Sequence, residues 1–277
     1  MEIERNYYLN KLISKKENKL IKIITGIRRC GKSYLLDPIF TNYLLKNGVD
    51  KKHIIKLELD SIENEEYTNP KKLYKYVMNN VIDNNTYYVI LDEIQKVDKF
   101  ESVLNSFLRK PNLDVYVTGS NSKFLSSDII TEFRGRGDEI KVYPLSFSEF
   151  MSVYNGNEAK GLDEYINYGG LPLIVTFKNP EDKIDYLNFQ KDNVYINDVV
   201  ERNNIKNDEE LKTLIEIISS SIGSLTNPTK LYNTFISKGN KNITNKTIAL
   251  YLKYLEEAFL IEKSKRFDIK GKKYIET

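Results

Sequence analysis

The sequence contains very few residues that support thiol or imidazole chemistry. It has one cysteine, Cys30, and one histidine, His53, among 277 residues. A single cysteine excludes an internal disulfide, and the two residues together are too few for a zinc site built from cysteine and histidine. A metal ion in this chain is therefore expected to be a hard ion that oxygen atoms bind.

The chain also lacks long apolar runs and a dominant charge. No apolar run approaches the length of a membrane span, and the start of the chain mixes charged and apolar residues without the core of a signal peptide. With 40% hydrophobic and 29% charged residues we expect a soluble, cytoplasmic protein with no membrane partner. The net charge of +3 does not by itself indicate a nucleic-acid partner.

Short β-branched and aromatic runs alternate with helical spacing in the first half of the chain. The predicted strands are 21–25, 53–60, 86–92 and 113–120, with a weaker fifth over 139–146. This alternation is typical of an α/β fold in which helices cover both faces of a parallel sheet. Beyond about residue 147 the spacing is helical. The predicted domains are an α/β domain over 1–146, a helical lid or linker over 147–208, and a winged-helix-like domain over 209–277.

The segment GIRRCGKS, residues 26–33, fits the pattern G-x-x-x-x-G-K-[ST] between a predicted strand and a predicted helix. Such a loop wraps phosphates with backbone N–H groups, and glycines leave room for that approach. Lys32 is expected to reach the β and γ phosphates, and the Ser33 hydroxyl to ligate Mg²⁺. The candidate nucleotide-binding residues are Gly26, Ile27, Arg28, Arg29, Cys30, Gly31, Lys32, Ser33 and Tyr34. The alternative is a basic turn without a ligand.

Two adjacent carboxylates, Asp92 and Glu93, end the apolar strand YYVILDE. Open parallel sheets bind ligands at the carboxyl ends of their strands. We therefore expect Asp92 to hold the Mg²⁺ shell and Glu93 to take a proton from an attacking water. The alternative is a charge pair that stabilises the start of the following helix through its dipole.

Two later segments offer further catalytic candidates. In VTGSNSK, Ser120 or Asn121 is placed to reach the γ phosphate or to orient the water, although the same residues also suit a plain turn. In FRGRGDE, Arg134 and Arg136 are candidates for an arginine finger that stabilises charge in the transition state. The alternative for both arginines is a solvated loop between glycines.

Read in order, GIRRCGKS, YYVILDEIQ, VTGSNSKFLSS and FRGRGDEIKVYPLSFSEF resemble a group of prokaryotic AAA+ ATPases, as do YINYGGLPLIV and YINDVVERNNI later in the chain. The resemblance implies a sheet in the order 5-1-4-3-2, ATP as the nucleotide, and the site roles given above. Members of this group usually continue into a restriction-endonuclease-like domain. Because this chain ends before one, we expect it to be a fragment of a longer protein.

The last predicted domain has the order of a winged helix. A recognition helix is expected to begin at Thr244 or Asn245, and a basic hairpin to turn at IKGK, residues 269–272. The hairpin segment contains Lys263, Lys265, Arg266, Lys270, Lys272 and Lys273. Winged helices bind DNA, but they also serve as packing modules, and both alternatives stay open here.

These features favour a Mg²⁺-dependent ATPase in which the nucleotide state moves the C-terminal region. The alternative is an ATP-gated DNA-binding regulator with little turnover. A phosphoryl transferase fits less well, because adjacent carboxylates suit the activation of water. An arginine finger that acts on a neighbouring chain would require a homo-oligomer.

Overall fold

The structure is a computed structural model that describes residues 3–119, 135–237 and 243–264. The chain divides into two compact units, Met1–Ile184 and Asp185–Thr277. This division falls between the boundaries predicted at residues 146 and 208, and the assignment of three domains stays a prediction. Within the described ranges, no helix is both long enough and apolar enough to cross a membrane.

The first unit contains a sheet of five parallel strands. They are β1 Ile21–Thr25, β2 Ile54–Glu58, β3 Tyr87–Asp92, β4 Leu113–Thr118 and β5 Gly137–Lys141. The strand order is β2-β3-β4-β1-β5, which is the expected order 5-1-4-3-2 read from the other edge. The predicted α/β class is therefore confirmed. β1 has the predicted bounds, β2, β3 and β4 are one to three residues shorter than predicted, and β5 begins two residues earlier and ends five residues earlier than predicted. The hydrophobic pattern of β2, β4 and β5 continues into the loops that follow them.

Helices precede, connect and follow these strands. They are α1 Asn6–Lys15, α2 Lys32–Tyr34, α3 Thr41–Lys46, α4 Pro70–Asn79, α5 Phe100–Leu108, α6 Phe147–Met151, α7 Glu158–Tyr168 and α8 Pro180–Phe189. A π-helical segment, Leu35–Phe40, joins α2 to α3 and is kinked at Asp37. The kink has a local cause, since the residue before a proline is driven towards extended backbone and Pro38 follows. Short 3₁₀ turns cover Lys51–His53, Ile62–Thr68, Ile94–Lys96 and Pro172–Thr176.

Each face of the sheet has its own apolar core, as the side-chain alternation of a strand requires. Along β3, Val89 and Leu91 belong to a core that includes Phe107 of α5. Tyr88 and Ile90 belong to the opposite core, with Phe40 and Leu12 among its members. The three inner strands, β1, β3 and β4, are thus covered on both faces, which is why they read as continuous hydrophobic runs in the sequence.

A buried ion pair joins two central strands. Lys22 of β1 donates a hydrogen bond to Asp114 of β4, and the Tyr116 hydroxyl donates to the same carboxylate at 2.7 Å. Burial and the Asp114 charge raise the pKa of Tyr116, and burial lowers the pKa of Lys22. Because a one-residue slip would separate these groups, the pair fixes the register of β1 against β4.

The second unit is helical over its described residues. A π-helical segment, Gln190–Ile196, leads into α9 Asn197–Asn203, followed by α10 Asp208–Ser220, α11 Pro228–Ser237 and α12 Asn245–Glu257. Their core includes Leu214, Phe235, Ile248 and Leu255. The predicted recognition helix is α12, and Thr244 caps it by accepting a hydrogen bond from Thr247 N at 3.1 Å. The predicted hairpin turn at 269–272 lies outside the described residues.

Candidate functional site

The carboxyl ends of three adjacent strands bring the predicted site together. In the sheet, β4 lies between β3 and β1, so the residues that follow these strands share one edge. Gly26 follows β1, Asp92 ends β3, and Thr118 ends β4. The parallel topology therefore places the glycine loop beside the two carboxylates, as the sequence predicted.

The two loop glycines are needed for different reasons. Gly26 has φ +141°, and a Cβ built there would lie 2.1 Å from the Val142 carbonyl oxygen, so the site admits no side chain. Gly31 has φ +93°, but its added Cβ would meet nothing closer than 3.7 Å. Gly26 is therefore required by space and by conformation, whereas Gly31 is required by conformation alone.

Lys32 lies across the inside of this loop. Its side chain is 5% exposed, and Nζ donates hydrogen bonds to the carbonyl oxygens of Gly26 and Ile27, both at 3.0 Å. No ion pair of Lys32 with a carboxylate occurs among the described residues. A buried ammonium whose charge is met only by carbonyl dipoles is suited to receive an anion.

Ser33 and Asp92, the predicted metal ligands, are brought into contact. The Asp92 carboxylate accepts hydrogen bonds from the Thr118 and Ser33 hydroxyls. Burial raises the pKa of Asp92, while these two hydrogen bonds act in the opposite direction. Among the described residues, no group of three or more Asp, Glu, His or Cys side chains is arranged so that it could hold a metal ion. One carboxylate and one hydroxyl fit Mg²⁺, which commonly takes its remaining ligands from water and phosphate.

Glu93 follows Asp92 with a left-handed backbone, φ 52° and ψ 48°. This conformation is uncommon for residues other than glycine and is held here by a hydrogen bond from Glu93 N to Thr118 Oγ1 at 2.9 Å. The Glu93 carboxylate accepts a hydrogen bond from Gln95 Nε2. The turn directs Glu93 out of the line of β3, so the backbone conformations of Asp92 and Glu93 differ although the two residues are adjacent in sequence.

Thr118 was missed by the sequence analysis. It is fully buried, donates to Asp92 and accepts from the Glu93 amide, so one hydroxyl sets the geometry of both acids. The prediction passed over it in favour of Ser120 and Asn121. Aligning the ends of β3 and β4 would have identified it, since Leu91 pairs with Val117 in the observed register.

Arg5 was also missed, because nothing near it in the sequence marks a site. Its guanidinium is 3% exposed and donates to Cys30 O at 3.0 Å, Tyr143 O at 2.7 Å and Glu149 Oε1 at 2.9 Å. One side chain thereby fixes the phosphate loop to the segment after β5 and to α6.

The remaining loop positions differ in exposure. Arg28, Arg29 and Tyr34 are exposed, and Ile27 is half-buried. Cys30 is fully buried, and its Sγ donates to Val142 O at 3.4 Å. Burial raises the pKa of the Cys30 thiol, which disfavours the reactive thiolate.

Of the sensor and finger candidates, Arg136 belongs to the described residues. Ser120, Asn121 and Arg134 lie outside the described residues. Arg136 is exposed and directly precedes β5, where its carbonyl accepts a hydrogen bond from Ile21 N at 3.0 Å. Since β1 and β5 are parallel and Ile21 pairs with Gly137, Arg136 lies at the opposite end of the strands from Gly26, about 20 Å away along the strand direction.

Comparison with known proteins identifies the family of the chain. The AAA domain family matches residues 18–151. An uncharacterized protein of Haemophilus influenzae is 35% identical over 99% of this chain and 70% of its own length. The chain belongs to the AAA+ family. In this AAA+ chain, residues 159–277 match a second family, "Domain of unknown function (DUF8612)".

A second relative of this AAA+ chain is the uncharacterized protein MJ1544 of Methanocaldococcus jannaschii, which is 30% identical over 91% of the chain and 58% of its own length. Among solved structures, Aeropyrum pernix ORC1 in complex with DNA matches at 11% identity and a TM-score of 0.40, covering 93% of this chain and 84% of that one. AMPPCP-bound DnaA from Aquifex aeolicus matches at 13% identity and a TM-score of 0.39, with coverages of 93% and 89%.

Proposed function

We propose that this chain binds ATP with Mg²⁺ and hydrolyses it. The observation that carries the proposal is Lys32, a buried ammonium that lies inside a glycine loop with no carboxylate partner among the described residues. A triphosphate would supply the missing anion. Backbone N–H groups of the loop would bind its oxygens, and Lys32 would turn from the loop carbonyls to the β and γ phosphates.

The hydrolytic step follows from the two acids. Asp92 and Ser33 would hold Mg²⁺, which supplies charge neutralisation at the phosphates when it is bound. Glu93 has its backbone turned out of β3 and would accept a proton from water as that water attacks the γ phosphorus in line. The Thr118 hydroxyl would give the two acids different roles, since it donates to the Asp92 carboxylate and accepts from the main-chain N–H of Glu93.

We place the nucleobase in an aromatic cavity of about 560 Å³ lined by Tyr7, Tyr8, Tyr143, Pro144, Leu145, Ser146, Glu149, Tyr165 and Gly170. Arg5 connects this cavity to the phosphate loop, because it binds Tyr143 O and Cys30 O with one guanidinium. Tyr7 is 62% exposed and is available for stacking. Adenine is the base that the family resemblance favours.

The cavity assignment is tested with Tyr7→Ala. Loss of one stacking partner is expected to weaken ATP binding about 5- to 100-fold, while inorganic tripolyphosphate, which has no base, binds as before. The measurement is calorimetric titration of both ligands. Equal losses of affinity for ATP and tripolyphosphate would show that the base does not bind in this cavity.

The central test is phosphate release from ATP with Mg²⁺, measured over a series of protein concentrations. Lys32→Ala should abolish nucleotide binding, and Glu93→Gln should bind ATP without turning it over. Unchanged affinity in Lys32→Ala would refute the phosphate site. Normal turnover in Glu93→Gln would refute Glu93 as the base.

The same concentration series tests oligomerisation. Arg136 lies far from the phosphate loop of its own chain, so an arginine finger formed by Arg136 would act on a neighbouring copy. Turnover per chain should then rise with protein concentration, and Arg136→Ala should lower the plateau. If turnover per chain is independent of protein concentration in both the wild-type protein and Arg136→Ala, Arg136 does not act as an arginine finger.

We also propose that the nucleotide state is coupled to the helical unit and that the protein is cytoplasmic. The coupling would appear as a change in amide hydrogen exchange in α9 to α12 when ATP replaces ADP. If the nucleotide protects amides of the phosphate loop from exchange but exchange in α9 to α12 is the same with ATP and ADP, the chain binds nucleotide without coupling to the helical unit.

The second candidate is an ATP-gated DNA-binding regulator. The order of α11 and α12, with an exposed Lys246 in the first turn of α12, favours testing duplex DNA as a partner. Binding would weaken steeply with salt and would be lost when Lys270, Lys272 and Lys273 are neutralised. Absence of binding at low salt would exclude this candidate.

A further inference from the structure

Gln95 is placed directly beside the proposed base. It lies in the 3₁₀ turn Ile94–Lys96 that begins after Glu93. Its Nε2 donates a hydrogen bond to Glu93 Oε2, so the side chain folds back over the residue two positions earlier. The turn therefore contains both the acid and a donor for it.

The chemistry of the two groups fixes the orientation of the amide. An ionised carboxylate only accepts hydrogen bonds, so the NH₂ end of Gln95 must face Glu93. The other end, Oε1, is buried and has no hydrogen-bond partner among the described residues. A glutamine that stabilises a fold is expected to use both ends of its amide. Within the described part of the chain, this one uses only the end that contacts Glu93.

The backbone of Glu93 is already constrained, but its side chain is long. The left-handed turn and the bond to Thr118 Oγ1 determine where the Glu93 Cα lies. These backbone contacts do not by themselves set the side-chain torsions of Glu93. The Gln95 amide supplies a fixed donor at the end of that side chain, which selects one rotamer.

We propose that Gln95 is a positioning residue that holds the Glu93 carboxylate in the orientation required for proton transfer. The inference rests on the proposed hydrolysis of ATP. Among the described residues Gln95 makes no hydrogen bond to the phosphate loop, so it should affect the rate of the chemical step and leave nucleotide binding unchanged. Without this donor the Glu93 carboxylate would still be present, but it would meet the attacking water less often in a reactive geometry.

The kinetic test compares Gln95→Ala, Gln95→Asn and Gln95→Glu with the wild-type protein. Gln95→Asn keeps the NH₂ and the carbonyl of the side-chain amide, but the side chain is one methylene too short to reach Glu93. We expect kcat to fall about 10- to 100-fold in the Ala and Asn variants, with KM and the Kd for ATP within about twofold of wild type. Gln95→Glu has almost the same shape, and its like charge should lower kcat at least as far. Lys96→Ala, an exposed neighbour on the same turn, is the matched control and should leave kcat unchanged.

Two kinetic results would overturn the inference. One is wild-type kcat in Gln95→Ala, and the other is full activity in Gln95→Asn, since that side chain cannot make the contact. A loss of ATP affinity equal to the loss of kcat would also contradict it, because a positioning role leaves binding intact.

A second measurement does not depend on turnover and separates this inference from the proposed function. The side-chain amide of Gln95 is identified in a ¹⁵N-correlated NMR spectrum by its absence in Gln95→Ala. Its resonances should shift when Glu93→Gln replaces the carboxylate acceptor and should stay in place in Lys96→Ala. Unshifted resonances in Glu93→Gln would show that the contact is absent. Lack of turnover in the wild-type protein would instead refute the hydrolysis, with the contact still decided by the spectrum.

Discussion

Asp92 and Glu93 are adjacent in the chain, yet their surroundings give them different chemistry. Asp92 remains in the strand, where burial raises its pKa and two hydroxyls contact its carboxylate. Glu93 leaves the strand through a left-handed turn and meets an amide donor. The roles predicted from sequence, metal ligand for Asp92 and base for Glu93, stay predictions. The left-handed turn itself was not predictable from residue type, because glutamate rarely adopts it.

Substituting glycine by alanine should separate the two demands on the phosphate loop. In Gly26→Ala the alanine would have to adopt a positive φ, and its Cβ would lie 2.1 Å from a backbone oxygen. Gly48, with φ +86° and open space around it, is a control for the conformational strain alone. We expect Gly26→Ala to be less stable than Gly48→Ala by about 2 kcal/mol or more, as judged by urea unfolding. Equal midpoints would mean that Val142 moves aside without cost.

The His53–Asp83 pair predicts a pH dependence of stability. His53 Nε2 lies 3.0 Å from Asp83 Oδ2, and this hydrogen bond holds the pKa of Asp83 below its usual range. A lowered folded-state pKa contributes stability above the unfolded-state value of about 4, and the contribution is lost as the pH falls below it.

Asp83→Asn should therefore be less stable than wild type at pH 7, and the gap should close between about pH 5 and pH 2. Thermal unfolding of both proteins across this range measures the gap. A constant difference at every pH would assign the effect to packing and not to charge. His53 is thus structural within the described residues, as its place at the start of a strand suggested.

At the scale of elements, Arg5 determines how α1, the phosphate loop and α6 are joined. Its removal would leave the Glu149 carboxylate and two carbonyl oxygens without their partner. Breaking a buried pair from one side destabilises a protein by about 3–5 kcal/mol, so Arg5→Ala should unfold at much lower urea concentration. Arg109→Ala, an exposed arginine at the end of α5, should stay within about 0.5 kcal/mol of wild type. Similar losses in both variants would contradict the assigned role of Arg5.

The strands were predictable because their signal is local. Four hydrophobic runs and a weaker fifth are enough to place β1 to β5, and the pattern G-x-x-x-x-G-K-[ST] locates the loop at the end of β1. Contacts between distant elements were not predictable. Arg5 lies 25 residues from Cys30 and 144 from Glu149, so no spacing rule connects them. Thr118 and Asp92 are likewise joined only by the pairing of β3 with β4.

At the scale of the whole molecule, nucleotide binding should raise the temperature of unfolding. A ligand that binds only the folded chain adds about 2.7 kcal/mol at a concentration 100 times its Kd. Mg²⁺ and ATP together should therefore raise the melting temperature of the wild-type protein, measured by calorimetry. Lys32→Ala should melt at the same temperature with and without nucleotide. A shift retained in that variant would place the ligand elsewhere.

The sheet order carries a consequence for behaviour at high concentration. The outermost strands, β2 and β5, have five residues each and present charged side chains, among them Lys56, Glu58 and Glu139. Short, charged border strands oppose the addition of a further strand from another molecule. Fibre growth by templating on the folded state is therefore disfavoured, and any amyloid-like deposit should scale with the unfolded fraction of the protein.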